Sequence, residues 1–314
     1  MQAVILTEYG QPENLELKEV EKPNTNDDQV LIRIKAAGVN PVDTKIRAGT
    51  SGMCKKINLP VILGFDVSGI VEAVGKNVKE FNINDEVMGC IGFPGLGKAY
   101  AEYTAADPVH LAHKPSNISF EEAAAVPLAG LTAYQTIHDH LQVQPGHRIL
   151  IQAAAGGVGH LAVQFAKIAG AEVSGTASQK NIPFLKELGV DQAIDYKNSN
   201  FEDHVASLDA AMDAMGGEVL YRTIKCVKKG GRVVCLPSST KDDPVAIKLA
   251  EEQGIELVWP LMYPDQKQIS QIADFMRQGQ LKVRIGQTFP LKQIVQAHKQ
   301  VESLHTTGKV VILI

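Results

Sequence analysis

Cysteine is scarce in this chain of 314 residues, and its four positions lie far apart in the sequence. They are Cys54, Cys90, Cys226 and Cys235, and no two of them form a Cys-x-x-Cys pair. Disulfide frameworks and structural zinc sites both depend on paired or closely spaced cysteines. Neither is indicated by this sequence.

An excess of positive charge is also lacking, since 31 Lys and Arg stand against 35 Asp and Glu for a net charge of −4. Nucleic-acid and anionic-membrane binding need a concentrated basic surface. The longest uncharged stretch, residues 149–166, is interrupted by glycine, histidine and glutamine, unlike a membrane span. The N-terminus has a short apolar run and an acid at Glu8, unlike a signal peptide. We expect a soluble, cytoplasmic protein with no nucleic-acid or membrane partner.

The length predicts two domains at roughly 100–200 residues each. As far as Phe120, short apolar runs alternate with turn residues, a pattern typical of an antiparallel barrel or sandwich. Ser119 and Glu122 then form a capping box before an alanine-rich run. Pro127 and Gly130 are expected to divide that run into two helices.

From Arg148 onward, apolar strands alternate with amphipathic helices, which predicts parallel βαβ units in a doubly wound sheet. The segment IELVW supplies a sixth strand. Two further helices are predicted around Gln266–Gln278 and Leu291–Ser303. The last strand, VVILI, has no evident place in a six-stranded doubly wound sheet, so its return to the first domain is a possibility we keep open.

A glycine-rich loop follows the strand RILIQA and precedes a helix. It matches the dinucleotide fingerprint G-x-G-x-x-G with alanine in the first glycine position. The helix that follows offers unpaired N–H groups and the positive end of its dipole to a pyrophosphate. A plain glycine turn is the alternative, but the strand–loop–helix context favours nucleotide binding. The predicted phosphate-binding residues are Ala154, Gly156, Gly157, Val158 and Gly159.

The end of the next strand indicates which dinucleotide is bound. NAD sites carry an Asp or Glu there to hold the ribose hydroxyls. This chain instead has Thr176, Ser178, Lys180 and Asn181, hydroxyl, ammonium and amide groups that suit a 2′-phosphate. The sequence therefore predicts NADPH rather than NADH. Tyr196, which is either a cofactor contact or an ordinary surface tyrosine, and Leu236, in the predicted strand RVVCLP, complete the predicted cofactor-binding set.

Six segments spread over nearly the whole chain resemble, in order, those of the medium-chain dehydrogenase/reductase superfamily. They are Ala36–Asp43, Leu63–Gly75, Asn84–Gly89, Pro127–Tyr134, Ala153–Gly159 and Thr307–Ile312. The resemblance implies an α/β protein with a GroES-like β-barrel domain, a Rossmann doubly wound parallel sheet domain and an active site in the cleft between them. The implied boundaries are residues 1–122 and 261–314 for the first domain and 123–260 for the second. It also implies a homodimer.

The chain departs from the zinc-dependent branch of that superfamily. In zinc alcohol dehydrogenases a ligand cysteine stands where this chain has Asn40, and a His-Glu pair stands where it has Phe65 and Asp66. Catalytic zinc needs about three thiolate, imidazole or carboxylate ligands. The four-cysteine structural lobe is missing as well, because only Cys90 occurs between Asp85 and Phe120. We therefore expect no metal.

The remaining pattern resembles the zinc-independent quinone and enone reductases of the superfamily. It implies hydride transfer from NADPH to a small-molecule quinone or to the β-carbon of an α,β-unsaturated carbonyl compound. Without a metal, hydrogen-bond donors must stabilise the developing oxyanion. The motif positions suggest Asn40, Lys45 and Thr132 as catalytic residues. The alternatives for these three are a turn-forming asparagine, a solvated lysine and an ordinary helix threonine.

Two other functions stay open at this point. A protein that binds NADPH without turnover, such as a redox sensor or partner-binding module, would use the same phosphate loop. A zinc-less alcohol or aldehyde reductase would use the same cofactor. No proton relay is visible in the sequence, so we expect solvent to supply the proton.

Overall fold

A computed structural model describes all residues 1–314 and divides them into two units. Unit 1 comprises Met1–Leu131 and Tyr263–Ile314, and unit 2 comprises Thr132–Met262. The division falls inside a helix rather than after residue 122, because the preceding helix packs on strands of unit 1. None of the helices combines the length and the apolar character that a membrane span requires.

The first part of unit 1 is built mainly of strands. These are β1 (Gln2–Leu6), β2 (Leu15–Glu19), β3 (Val30–Val39), β4 (Val61–Ile62), β5 (Asp66–Val74), β6 (Glu86–Cys90), β7 (Tyr103–Ala106) and β8 (Leu111–His113). Two helices accompany them, α1 (Pro41–Arg47) and α2 (Phe120–Ala124). The helix α3 (Pro127–Gln135) then runs across the division between the units.

Unit 2 alternates strands and helices. In chain order they are β9 (Arg148–Ile151), α4 (Gly159–Ile168), β10 (Glu172–Ala177), α5 (Ile182–Glu187), β11 (Gln192–Asp195), β12 (Leu208–Asp213), α6 (Gly217–Cys226), β13 (Val227–Cys235), α7 (Pro244–Gln253) and β14 (Glu256–Val258). All six strands are parallel, in the order β11-β10-β9-β12-β13-β14. This is the doubly wound order, whose ligands bind beyond the carboxyl ends of the strands. The predicted Rossmann sheet is confirmed.

The C-terminal part of the chain belongs to unit 1. It contains α8 (Gln266–Arg277), β15 (Ile285–Pro290), α9 (Ile294–Glu302) and β16 (Lys309–Leu313). β16 pairs antiparallel with β3 and thereby joins a seven-stranded sheet of order β15-β16-β3-β5-β6-β8, in which β7 also pairs with β3. A separate three-stranded sheet has the order β2-β1-β4. The terminal strand thus has its partner in unit 1.

Local signals account for the helices near residue 120. Ser119 and Glu122 exchange the two hydrogen bonds of the predicted capping box, at 3.1 and 2.8 Å. Pro127 begins α3, as its fixed φ and missing N–H allow at a first helical position. Gly130 does not break the helix, because it lies within α3 with its N–H bonded to the carbonyl of Val126.

Two elements were not expected from the sequence. The segment after Asn40 is the helix α1 rather than a loop, since Asp43 accepts a 2.8 Å hydrogen bond from the Asn40 N–H and Pro41 starts the helix. β15 is the second, and its pairing with β16 is parallel. Its segment, IGQTFP, has too little apolar alternation to predict a strand.

Candidate functional site

The predicted phosphate loop lies at the carboxyl end of β9 and leads into α4. A tight turn starts it, with Ala153 at a φ of +51° and the Gly156 N–H donating to the Ala153 carbonyl at 2.9 Å. A Cβ at Gly159 would approach the Ala153 carbonyl oxygen to 2.3 Å, so only glycine fits there. At Gly156 the same contact would be 3.1 Å. The loop has the shape that the fingerprint requires.

The buried hydroxyl of Thr176 supports this loop from below. It donates to Oε1 of Gln152 at 2.6 Å and accepts the N–H of Ala153 at 3.1 Å. Gln152 in turn donates to the Thr223 hydroxyl at 3.1 Å. Thr176 therefore fixes the loop, and its predicted contact with the cofactor stays a prediction. The sequence motifs did not predict a role for Gln152, although a polar glutamine at the end of the apolar strand RILIQA could have indicated one.

His160 was also missed. Its buried ring lies on the first turn of α4 with Nδ1 at 2.7 Å from the carbonyl oxygen of Gly156. Since a carbonyl only accepts, Nδ1 carries the proton. This bond ties the peptide of Gly156 to the helix that follows. The histidine sits directly after the fingerprint, so its position was available in the sequence.

The residues predicted to hold the 2′-phosphate gather at the ends of β10 and β11. Ser178, Lys180 and Asn181 form the turn after β10, in which the Asn181 N–H donates to the Ser178 carbonyl at 2.8 Å. The Tyr196 N–H bonds to the Ala177 carbonyl at 3.2 Å, and its side chain is 53% exposed. Lys180 is exposed. The geometry brings a hydroxyl, an ammonium and a phenol to one edge of the sheet.

One carboxylate near that edge already accepts hydrogen bonds from neighbouring residues. Asp195, the last residue of β11, accepts the Lys197 N–H at 3.1 Å and the side-chain amide of Asn198. It therefore shapes the turn after β11.

Two more groups lie at the carboxyl ends of β12 and β13 in unit 2. Asp213 ends β12, is fully buried, and accepts N–H bonds from Met215 and Gly216 at 2.9 and 2.6 Å. Burial raises its pKa, and those hydrogen bonds oppose the shift. Leu236, half-buried after β13, donates its N–H to the Asp213 carbonyl at 2.9 Å. The sequence motifs did not predict a role for Asp213 either, although an acidic residue at the end of an apolar strand could have indicated one.

In unit 1 the side chain of Asn40 belongs to a buried polar network. Its Nδ2 donates to Oδ2 of Asp66 at 2.9 Å, and its Oδ1 accepts from the ammonium of Lys309. Asn40 is only 1% exposed. The amide is thus bonded at both ends, and its predicted contact with a ligand stays a prediction.

Asp66 and Lys309 complete this network. The carboxylate is 0% exposed and the lysine 4%. Lys309 Nζ lies 3.6 Å from Asp66 Oδ2, while Asp66 Oδ1 accepts the N–H of Leu128 at 2.7 Å. Burial raises the pKa of Asp66, and Lys309, Asn40 and Leu128 all oppose that rise. Lys309 was missed as a site residue, although a lysine in the apolar segment TGKVVI was a visible signal.

A second buried cluster adjoins α1. Burial raises the pKa of Asp43 to about 7, and the nearby charge of Asp66 adds to the rise. Tyr100 interacts with Asp43, but neither its hydroxyl nor Asp43 Oδ1 makes a hydrogen bond of standard geometry. His298 contacts Tyr100 edge-on at 5.8 Å between ring centroids, and burial lowers its pKa to about 3. These groups are predominantly uncharged under neutral conditions, apart from Asp43.

The other two predicted catalytic residues lie in different units. Lys45 is half-buried on α1 of unit 1. Thr132 is half-buried on α3 and begins unit 2. Their catalytic roles stay predictions.

The positions that correspond to zinc ligands are filled by other chemistry. Phe65 is buried with its ring edge-on to Phe93 at 5.2 Å, and Asn40 and Asp66 bond to Lys309. The chain brings no three His, Cys, Asp or Glu residues together as a metal-binding group.

Comparison with known proteins gives two family matches. A model described as an alcohol dehydrogenase GroES-like domain matches residues 26–116, and one described as a zinc-binding dehydrogenase matches residues 188–312. The 2-methylene-furan-3-one reductase of Solanum lycopersicum is 36% identical over 99% of this chain and 79% of its own length. The chloroplastic NADPH-dependent alkenal/one oxidoreductase of Arabidopsis thaliana is 33% identical over the same shares.

Solved structures agree with these matches. A quinone oxidoreductase from Coxiella burnetii superposes with a TM-score of 0.94 at 37% identity, covering 100% of this chain and 99% of its own. A quinone oxidoreductase of Escherichia coli, complexed with NADPH, superposes with a TM-score of 0.90 at 27% identity over 100% of both chains.

The fold combines a GroES-like part with a Rossmann part that carries the glycine loop, as in dehydrogenases. The chain belongs to the medium-chain dehydrogenase/reductase superfamily. The resemblance and the fold class predicted from the sequence are confirmed.

The raised pKa of Asp43 predicts a pH-dependent cost in stability. The ordinary pKa of this carboxyl group is 3.8, and its pKa in the folded protein is about 7. The stabilisation that the protonated form of Asp43 contributes is therefore complete below pH 3.8 and is lost as the pH rises through 7. Asp43→Asn keeps an oxygen for the Asn40 N–H and removes the charge. The free energy of unfolding of Asp43→Asn minus that of the wild type should increase by roughly 1–3 kcal/mol from pH 5 to pH 8.

Denaturant unfolding of both proteins across that pH range measures the difference. A difference that stays constant from pH 5 to pH 8 would show that Asp43 does not titrate there.

Proposed function

We propose that this chain is an NADPH-dependent, zinc-independent reductase of quinones or α,β-unsaturated carbonyl compounds. The relatives support the substrate class, since their names give furanone, alkenal/one and quinone reduction. The observation that carries the metal-free part is a buried polar network in which Asn40 and Asp66, at two of the positions that correspond to the zinc-site segments, are engaged with each other and with Lys309. An amide bonded at both ends and a carboxylate paired with an ammonium offer no coordination site.

The residues of unit 2 fit NADPH. Gly156 and Gly159 keep the loop tight, because a Cβ at either position would crowd the Ala153 carbonyl oxygen, at 3.1 and 2.3 Å. The loop and the first turn of α4 would hold the pyrophosphate, and Ser178, Lys180 and Asn181 would hold the 2′-phosphate, with Tyr196 and Leu236 flanking the nucleotide. Bound NADPH supplies a hydride from C4 of its nicotinamide ring.

The substrate side of the proposal assigns roles to three residues. Lys45 and Thr132 donate hydrogen bonds toward the substrate oxygen or the nicotinamide, which stabilises negative charge that develops on the oxygen. Asn40 supports them, because its amide is buried and bonded at both ends. The β-carbon of an enone gains the hydride and its α-carbon gains a proton from solvent. A quinone becomes the hydroquinone by the same balance of one hydride and one proton.

We also propose a cytoplasmic location and a homodimer. All four cysteines are unpaired, as is usual in a reducing compartment. The edge of β14 supports self-association, since β14 pairs only with β13 and Leu261, just beyond it, is 64% exposed. An open edge strand is a template for pairing with a second copy.

The first prediction concerns turnover. The purified protein should oxidise NADPH with a 1,4-quinone or an alkenone as acceptor, and the enone product should be the saturated ketone. Chelator treatment should leave the rate unchanged, because no step depends on a metal. Loss of the rate on chelation with recovery on adding zinc would contradict the proposal. Stoichiometric NADPH binding without turnover of any acceptor would favour a sensor, and an alcohol product would favour a carbonyl reductase.

A second prediction concerns cofactor choice. Lys180→Ala should raise the Kd for NADPH about tenfold or more while leaving the Kd for NADH nearly unchanged, because it removes one charge-assisted bond to the 2′-phosphate. Fluorescence titration of both cofactors measures this. Lys186→Ala, an exposed lysine on α5, is the matched control and should change neither Kd. Equal weakening of both cofactors by Lys180→Ala would remove Lys180 from the proposed 2′-phosphate site.

A third prediction concerns self-association. Light scattering should give twice the 33.9 kDa chain mass for the wild type. Leu261→Glu should shift the protein toward the monomer, because it buries a charge at the proposed interface. Leu304→Glu, at an 83% exposed leucine of unit 1, is the control and should remain dimeric. A wild type that stays monomeric at all concentrations would rule the dimer out.

A further inference from the structure

Lys309 is an unusual residue for the first position of a core strand. Its ammonium is buried in unit 1, where it bonds to Asn40 Oδ1, lies 3.4 Å from the Val39 carbonyl and 3.6 Å from Asp66 Oδ2. The next three residues of β16 are buried and apolar. Burying a lysine is costly unless its charge is paired and its protons are bonded. All three of these contacts lie at one place, where β3 ends and α1 begins.

The same network reaches two helix starts. Asn40 precedes α1, and its side chain bonds to both Lys309 and Asp66. Asp66 accepts the N–H of Leu128, the second residue of α3, at 2.7 Å. A carboxylate at a helix N-terminus is favourable, because it accepts an N–H without an intrahelical partner and faces the positive end of the dipole. The ammonium of Lys309 favours the ionised form of Asp66 and so opposes the effect of burial.

The two helices matter because of what they carry. Lys45 lies on α1, four residues beyond its first residue, and Thr132 lies on α3 one turn after Leu128. Small displacements of a catalytic group have large effects on rate, of the order of a hundredfold for about 1 Å. A network that fixes where both helices begin also fixes where these two side chains can be.

We propose that Lys309 is a positioning residue for the reaction, which holds the starts of α1 and α3 through Asn40 and Asp66. The inference rests on the proposed reductase function, because that function gives Lys45 and Thr132 their roles. The proposal gives Lys309 no contact with substrate or cofactor, because its side chain is buried and engaged with Val39, Asn40 and Asp66. A residue of this kind should affect kcat far more than cofactor binding in unit 2.

The test begins with Lys309→Met, which keeps the length of the side chain and removes its charge. The double substitution Asp66→Asn with Lys309→Met removes both charges, so it remains measurable even if the unpaired Asp66 prevents the single variant from folding. Lys292→Met, an exposed lysine of unit 1, is the matched control. We expect the folded Lys309 variants to lose roughly tenfold to a hundredfold in kcat with the enone. Their Kd for NADPH should stay within about twofold of the wild type.

A second comparison separates positioning from general damage. Lys309→Met or the double charge removal is combined with Lys45→Met. If Lys309 acts by placing Lys45, the loss in kcat should be much smaller in the Lys45→Met background, because coupled residues are non-additive. Equal fold losses in both backgrounds, or an unchanged kcat in a folded variant, would overturn the proposal.

Failure of the proposed function gives a different result. In that case the wild type and Lys292→Met would show no turnover with any quinone or enone. If both are active and the Lys309 variants match them, the reductase function stands and the positioning role is wrong.

Discussion

The buried carboxyl group of Asp66 is the constraint on which the polar network of unit 1 depends. A carboxylate with no exposure must be paired or protonated, and here it is met by Lys309, the Asn40 amide and the Leu128 N–H. Those partners come from β16, from the junction of β3 with α1, and from α3. The return of the C-terminal strand to β3 is what brings Lys309 to this place. Chain topology and site electrostatics are therefore linked through a single ion pair.

Unit 2 depends on a different constraint, the close approach of α4 to the end of β9. Gly159 leaves no room for a side chain beside the Ala153 carbonyl. Thr176 and Gln152 hold the turn from below, and His160 holds it from the helix side. A loop fixed by these hydrogen bonds has less conformational freedom to lose on binding, which reduces the cost of ordering.

The sequence was sufficient where local rules and sheet order dominate. The alternation of apolar strands with helices predicted the parallel sheet, and the fingerprint predicted the loop at its switch point. Helix α1 could not be predicted, because Asn-Pro favours a turn as strongly as a helix start and the cap depends on where Asp43 lies. The network around Lys309 was out of reach for another reason. Its members are distant in sequence, and the pairings of β5 and β16 with β3 bring them together.

Isotope tracing can show whether the hydride passes to a conjugated acceptor without a metal. The protein, stripped of metal by chelation, is supplied with an alkenone and NADPH that carries deuterium at C4 of the nicotinamide ring. We expect a saturated ketone with one deuterium on the β-carbon and none on the carbonyl carbon. Deuterium on the carbonyl carbon of an alcohol product, or transfer that appears only when zinc is restored, would contradict it.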